Sequence, residues 1–381
     1  MRVYRAAKVS ETTTVSEATS SLRSPSDEGV TADGENLILD NGILRLRVHP
    51  ASGALAELID HETGQDVAGP WAGWGPEARV SAGMLNRLQI VWEQPHPMSA
   101  WNLGDTTRID HLIVGAEARV VESGPVCAVV EVRRQFLHSA LTQRIALYRG
   151  LRRIDFITEV DWHERGSAHT DAPMLRATFA PFLEQSAATF EVAFAAIERA
   201  ADGREVPALR WADISERGGG YGVSLLNDGK YGHQAHGNTL GLTLVRASYE
   251  PDNNPDEGLH RFTYALYPHR GTWREAGTAQ RAAELNQPLL AIVTDGHAGP
   301  LSPGQAGVEC DAPGAIVSAV KLAEEQGGKR PSAIVRVYEL HGRPTRGTLR
   351  LGWTARRAEE VDLIERAAAP EDAALTVRKG V

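Results

Sequence analysis

The stretch LTQRIALYRGLRRIDFITEVDWHER restricts this chain more than any other. In its second half Ile154, Phe156, Thr158, Val160 and Trp162 fall on one side, while Asp155, Glu159, Asp161 and His163 fall on the other. Successive side chains of an extended strand point to opposite faces, so a period of two marks a strand with one dry face and one wet face. A helix is excluded there, because its apolar positions would recur every three or four residues. The same texture repeats along the chain. ILRLRV sets Leu44, Leu46 and Val48 opposite Arg45 and Arg47 after a turn at Asp40-Asn41-Gly42, and ALAELID follows between turn-rich stretches at 49–53 and 61–64. ARVVESGPVCAVVEVRRQF places Glu122-Ser123-Gly124-Pro125 between two Val-rich runs. YGVSLLND, NTLGLTLVRA, HRFTYALYPH, AIVRVYEL and GTLRLGW complete the pattern. Short strands separated by Gly and Pro predict an all-β sandwich. In ATFEVAFAAIERAADG the helix-favouring Ala and Glu leave helix and strand equally open.

At roughly 150 residues per domain, 381 residues predict two packed units. Residues 1–34, rich in Ser, Thr, Asp and Glu and without period, are expected to be a flexible tail. The Gly- and Pro-dense DGHAGPLSPGQAG at 295–307 marks a boundary, giving a large unit at 35–298 and a small one at 299–381.

Charge and motifs exclude several functions. Forty Lys and Arg against 49 Asp and Glu leave a net charge of −9, which disfavours nucleic acid and anionic membrane surfaces as partners. No apolar run is long enough to span a bilayer, and the N-terminus has none suited to export, so a cytoplasmic location is expected. Cys127 and Cys310 are too few for a disulfide framework or a cysteine zinc site. No GxxxxGK[ST] loop or GxSxG elbow occurs, and Gly218-Gly219-Gly220 precedes a strand instead of opening a helix. His169-Thr170-Asp171 has a spacing that can chelate zinc from a strand, yet the small residues of GSAHTDAP read first as a solvated turn. His163 with Glu164, His233 with His236, and His260 with His269 carry the same discount. Neither catalytic nor metal-ligating residues are assigned to this chain. In residues 211–269, aromatic rings alternate with Asp, Asn, Lys, Arg and His, a mixture that can grip a sugar. The same rings can close a core edge, and Asn227-Asp228-Gly229 is good turn chemistry.

LRWADISERGGGYGVSLLNDGKYGHQAHGNTLGLTLVRA, followed by HRFTYALYPHRGTWREA, resembles the C-terminal β-rich region of glycoside hydrolase family 38, the α-mannosidases. The resemblance extends through ENLILDNGILRLRVHPASGALAELIDHETG, IDFITEVDWHER, AELNQPLLAI, IVRVYELHGRPTRGTLRL and AEEVDLIER, covering roughly residues 35–366. It implies a galactose-mutarotase-like supersandwich followed by a smaller β-sandwich. It also implies that zinc, the aspartate nucleophile and the acid carboxylate belong to a catalytic barrel ahead of this region, supplied in cis or in trans. His169 and Asp171 fall in what looks like an insertion. TFEVAFAAIERA resembles a family strand that carries Gly where Ala195 stands. Arg246 stands where the family's sandwich lends an arginine to the sugar pocket, and Asp228, Tyr231, Asn238 and His269 are the other expected sugar contacts. DAALTVRKGV ends where more β sequence would follow in the family, which suggests a fragment or split gene product.

The resemblance therefore implies the non-catalytic part of a retaining α-mannosidase acting on an α-mannoside. Two alternatives stay open. One is a free-standing carbohydrate-binding module using residues 211–269. The other is a mutarotase-type enzyme with a His and a Glu as its acid/base pair, His260 or His269 being the histidine.

Overall fold

The computed structural model describes the backbone of residues 2–9 and all of residues 29–69, 84–296, 307–324 and 332–366. The alternating strand sits where its period requires. Ile154, Phe156, Val160 and Trp162 are fully buried and Thr158 nearly so, whereas Glu159 and Asp161 are exposed. Asp155 departs from the pattern: it is buried, and its carboxylate takes two bonds from Arg153, at 2.6 and 3.0 Å.

Ile154–Trp162 pairs antiparallel with Ser139–Tyr148 on one side and Gly258–Arg270 on the other. These belong to a nine-stranded sheet. On the Ser139–Tyr148 side follow Cys127–Phe136 and Ala116–Ser123; on the Gly258–Arg270 side follow Tyr221–Asn227, Trp211–Glu216, Ser186–Val192 and Ala195–Arg199. A six-stranded sheet runs in the order Asp202–Pro207, Gly232–His236, Thr239–Arg246, Ala172–Phe179, Arg87–Glu93, Thr106–His111. Phe179 from this second sheet meets Phe156 and Tyr264 from the first edge-on, at 5.7 and 6.1 Å between ring centroids. The two sheets therefore share one core. A four-stranded meander, from Thr31–Asp33 to Leu55–Asp60, adds Leu39, Leu44, Leu46 and Val48 to it. At about 1.5–3 kcal/mol for each large apolar side chain removed from water, this cluster is the main stabilising term.

The all-β sandwich expectation is borne out; among the described residues only Thr278–Asn286 is an α-helix. The ambiguous Ala- and Glu-rich segment is extended, but as two strands, Ser186–Val192 and Ala195–Arg199. Phe194 has φ 58° at the turn between them. Tertiary pairing overrides helix propensity here, since Ser186–Val192 completes its hydrogen bonds against Trp211–Glu216.

The chain divides into a larger unit of residues 23–192 and 197–288 and a smaller unit of 1–22, 193–196 and 289–381. The smaller unit has a four-stranded antiparallel sheet in the order Ala315–Leu322, Ser332–Glu339, Arg2–Val9, Thr354–Val361. Arg2–Val9 is thus an inner strand, paired on both edges, which corrects the flexible-tail reading for these residues. Its partners stand at the other end of the sequence, where no local period can reveal them. Thr31–Asp33, also within the expected tail, pairs with Ile38–Asp40. Residues 10–28, residues 297–306 of the expected boundary, and DAALTVRKGV lie outside the described residues.

Candidate functional site

Arg246 closes strand Thr239–Arg246 opposite Met174, just after a register shift at which Leu244 is the extra residue. One terminal nitrogen of its guanidinium donates to both carboxylate oxygens of Glu93, at 2.8 and 3.1 Å, and to the Asn102 carbonyl at 3.0 Å. Its Nε is buried and has no partner. Glu93 ends strand Arg87–Glu93, is buried, and also accepts the Gly104 N–H at 2.6 Å and pairs with the His96 ring. A Cβ on Gly104 would come within 2.5 Å of the His96 ring, so this close approach needs glycine. The Tyr249 hydroxyl accepts the His96 N–H at 2.9 Å and donates to its carbonyl at 2.8 Å. Ser99 Oγ accepts the N–H groups of Tyr249 and Glu250, at 2.9 and 3.0 Å. Loop 94–105 is therefore pinned at both ends and in the middle, and it carries the exposed Trp101.

The other expected sugar contacts do not gather here. Asp228 lies in the turn after Tyr221–Asn227 and accepts the Thr263 N–H at 2.8 Å; burial raises its carboxyl pKa. Tyr231, three residues on, is exposed. Lys230 lies 4.3 Å above the Phe262 ring, and burial lowers its ammonium pKa. Asn238 fastens the turn before Thr239–Arg246: it donates to the Leu183 carbonyl and accepts from Ser186 Oγ at 2.5 Å. At about 3.3 Å per residue, Asn238 and Arg246 stand roughly 25 Å apart at opposite ends of one strand. His269 is 2% exposed, and its Nε2 is bonded to Asp213 Oδ2 at 2.8 Å, which replaces the expected sugar contact with a core contact.

Sequence reading missed the network around that histidine. Asp213 accepts from Ser215 at 2.5 Å and Ser224 at 2.8 Å, and Ser224 bonds Thr278 at the start of the helix. Although Ser, His and Asp meet, Ser224 faces the aspartate and all three are buried, so the group ties the helix to the sheet and cannot present a nucleophile. His260 Nε2 donates to the Asp256 carbonyl, 2.7 Å away, nine positions from His269 along one strand.

The histidine pairs resolve similarly. His233 is fully buried while His236 is exposed, on opposite faces of Gly232–His236. His169 and Asp171 are engaged separately, His169 by its N–H to Ser167 and Asp171 by Thr107 Oγ1 at 2.5 Å. Glu164 accepts from His138 and Ser139, and His163 pairs with Asp161 at 3.0 Å. Among the described residues, no group of three or more His, Cys, Asp or Glu side chains could hold a metal ion. Among them, too, no helix is long and apolar enough to cross a membrane.

Comparison with known proteins matches residues 39–254 to the glycosyl hydrolases family 38 C-terminal domain. The chain belongs to family 38. A second model, the family 38 C-terminal β-sandwich domain, matches residues 314–379. The chain is similar to alpha-mannosidase 2C1 of Homo sapiens, with 33% identity over 348 residues, covering 87% of this chain and 31% of that protein. It is similar to alpha-mannosidase of Saccharomyces cerevisiae at 25% identity, covering 91% of this chain and 33% of that one. This family 38 chain thus spans about a third of the length of the curated relatives it matches. A solved family 38 protein from Enterococcus faecalis shares its fold, with a TM-score of 0.71 at 15% identity over 90% of this chain and 42% of that one.

Proposed function

We propose that this chain is the C-terminal, non-catalytic part of a retaining α-mannosidase, completing a sugar cleft whose catalytic groups reside on another segment. The observation that carries the reading is the match to family 38 C-terminal models at both ends of the chain, together with curated α-mannosidase relatives. Zinc, the nucleophilic carboxylate and the acid/base carboxylate are assigned to the barrel, joined in cis or in trans. In this reading Arg246 enters the cleft, with its carboxylate partner Glu93 fixing the direction of the guanidinium. A charge-assisted pair of this kind, with a buried carboxylate and a partly exposed guanidinium, holds a donor where a substrate oxygen can meet it.

The test is an assay with an aryl α-mannoside and zinc. The isolated chain should give no turnover, and co-expression with a family 38 barrel should restore it. Robust turnover by the isolated chain, abolished by a substitution within it, overturns the non-catalytic assignment.

A further inference from the structure

Six tryptophans lie among the described residues, and Trp101 alone is exposed, at 68%. Trp162, Trp211 and Trp273 are buried in the usual way. An indole left in water forgoes the largest apolar gain any side chain offers, so its position needs another account. Nor is Trp101 the tip of a loose loop. Its N–H donates to the Met98 carbonyl at 2.9 Å, the preceding Ala100 N–H to the Glu250 carbonyl at 2.8 Å, and the following Asn102 carbonyl is held by Arg246 at 3.0 Å. The anchors themselves, Glu93 and Ser99, are buried. The ring is therefore presented on a preorganised backbone, which reduces the ordering cost of binding.

Its surroundings decide what would bind. A protein-docking site would surround the indole with apolar neighbours. Here the exposed residues of the loop besides Trp101 are Gln94, Pro97, Asn102 and Asp105, three of the four polar, and the partly exposed guanidinium of Arg246 sits against the Asn102 carbonyl. An exposed flat apolar surface on a loop that also carries hydrogen-bonding side chains matches a small ligand with an apolar face and a polar rim. A hexopyranose has that form.

We propose that Trp101 is a stacking platform for a hexopyranose ring, with Asn102 and Arg246 bonding the ring's hydroxyls. The ligand class rests on the glycosidase reading above; the exposure and rigidity of Trp101 do not. The experiment is saturation-transfer NMR on the full 381-residue chain with methyl α-D-mannopyranoside, using mannitol as an open-chain control with the same hydroxyl chemistry and no ring face. Wild type should transfer saturation to the mannoside and not to mannitol. Trp101→Ala should weaken binding about tenfold and Trp101→Phe by less, as expected for loss of an aromatic contact. Because the side chain is exposed, both variants should melt within about 2 °C of wild type. No transfer to the mannoside, equal transfer to mannitol, or unchanged binding by Trp101→Ala overturns the platform. Loss of binding accompanied by a larger fall in melting temperature also counts against it, because that marks a packing role. A chain that restores barrel activity yet fails this test refutes the platform alone; one that passes it yet fails to restore activity refutes the α-mannosidase reading alone.

Discussion

His233 gives the sharpest test of the core. It faces inward from Gly232–His236, opposite Leu242, with Phe190 edge-on at 6.4 Å and Asn227 Nδ2 donating to its Nε2 at 3.2 Å. Complete burial pushes its pKa down to about 3 from the ordinary 6.5, with the nearby Arg199 adding to the fall. The folded protein thus keeps His233 neutral, while the unfolded chain protonates it below about pH 6.5. A depressed histidine pKa means the unfolded state binds the extra proton, so stability falls as pH drops below 6.5 and the loss ends only near pH 3. Between pH 8 and pH 5 the loss amounts to about 2 kcal/mol, or about 4–8 °C in melting temperature for a unit of this size. Other groups titrate in the same window, with His49 and His111 also lowered by burial. The measurement is therefore a difference: melting temperatures at pH 8 and pH 5 for wild type and for His233→Gln, which stays neutral and still offers an acceptor to Asn227. The variant should lose about 4–8 °C less than wild type across that interval, whatever its melting temperature at pH 8. Equal losses to within about 1 °C would refute the reasoning.

Glu93→Ala removes the acceptor for Arg246, Gly104 and His96 together. It should cost about 2 kcal/mol in urea unfolding, with the partly exposed guanidinium keeping the figure below that of a fully buried pair. Tyr264→Phe deletes a hydroxyl that donates to Asn86 at 2.6 Å and accepts from Gln143 at 2.8 Å, both buried. It should cost about 1–3 kcal/mol on the same measurement, because those groups lose their partner without gaining water. Gly166→Ala places a Cβ 2.1 Å from the Ala247 carbonyl oxygen, so it should lower the melting temperature even though it adds only one methyl group. Deleting residues 1–9 uncovers facing edges of Ser332–Glu339 and Thr354–Val361, and hydrogen exchange in those two strands should accelerate relative to the full chain.

How much of this was legible depended on where each strand's partners stand. Ile154–Trp162 announced itself because one face is wet. Ala172–Phe179 also alternates, Leu175, Ala177 and Phe179 against Arg176 and Thr178, but it is buried along its whole length, and the sequence could not show that its polar side chains meet Glu205 and the Arg87 carbonyl in place of water. Arg246 drew attention through family resemblance, but nothing local connected it to Glu93 or to the loop that carries Trp101. Asn238 and His269 looked equally suited to a sugar, and packing gave them a turn and a core bond instead.

The sequence by itself determined the β character of the chain, the dry face of its long strands, and its family, because side-chain alternation and motif order are local properties that survive in one dimension. Tertiary structure alone decided that the first strand closes a sheet with the last ones, that His233 stays neutral, and that Trp101 stands in water on a fixed loop. Each of those depends on groups distant in sequence excluding water from, or leaving it beside, a particular side chain, and burial is a property of the assembled fold.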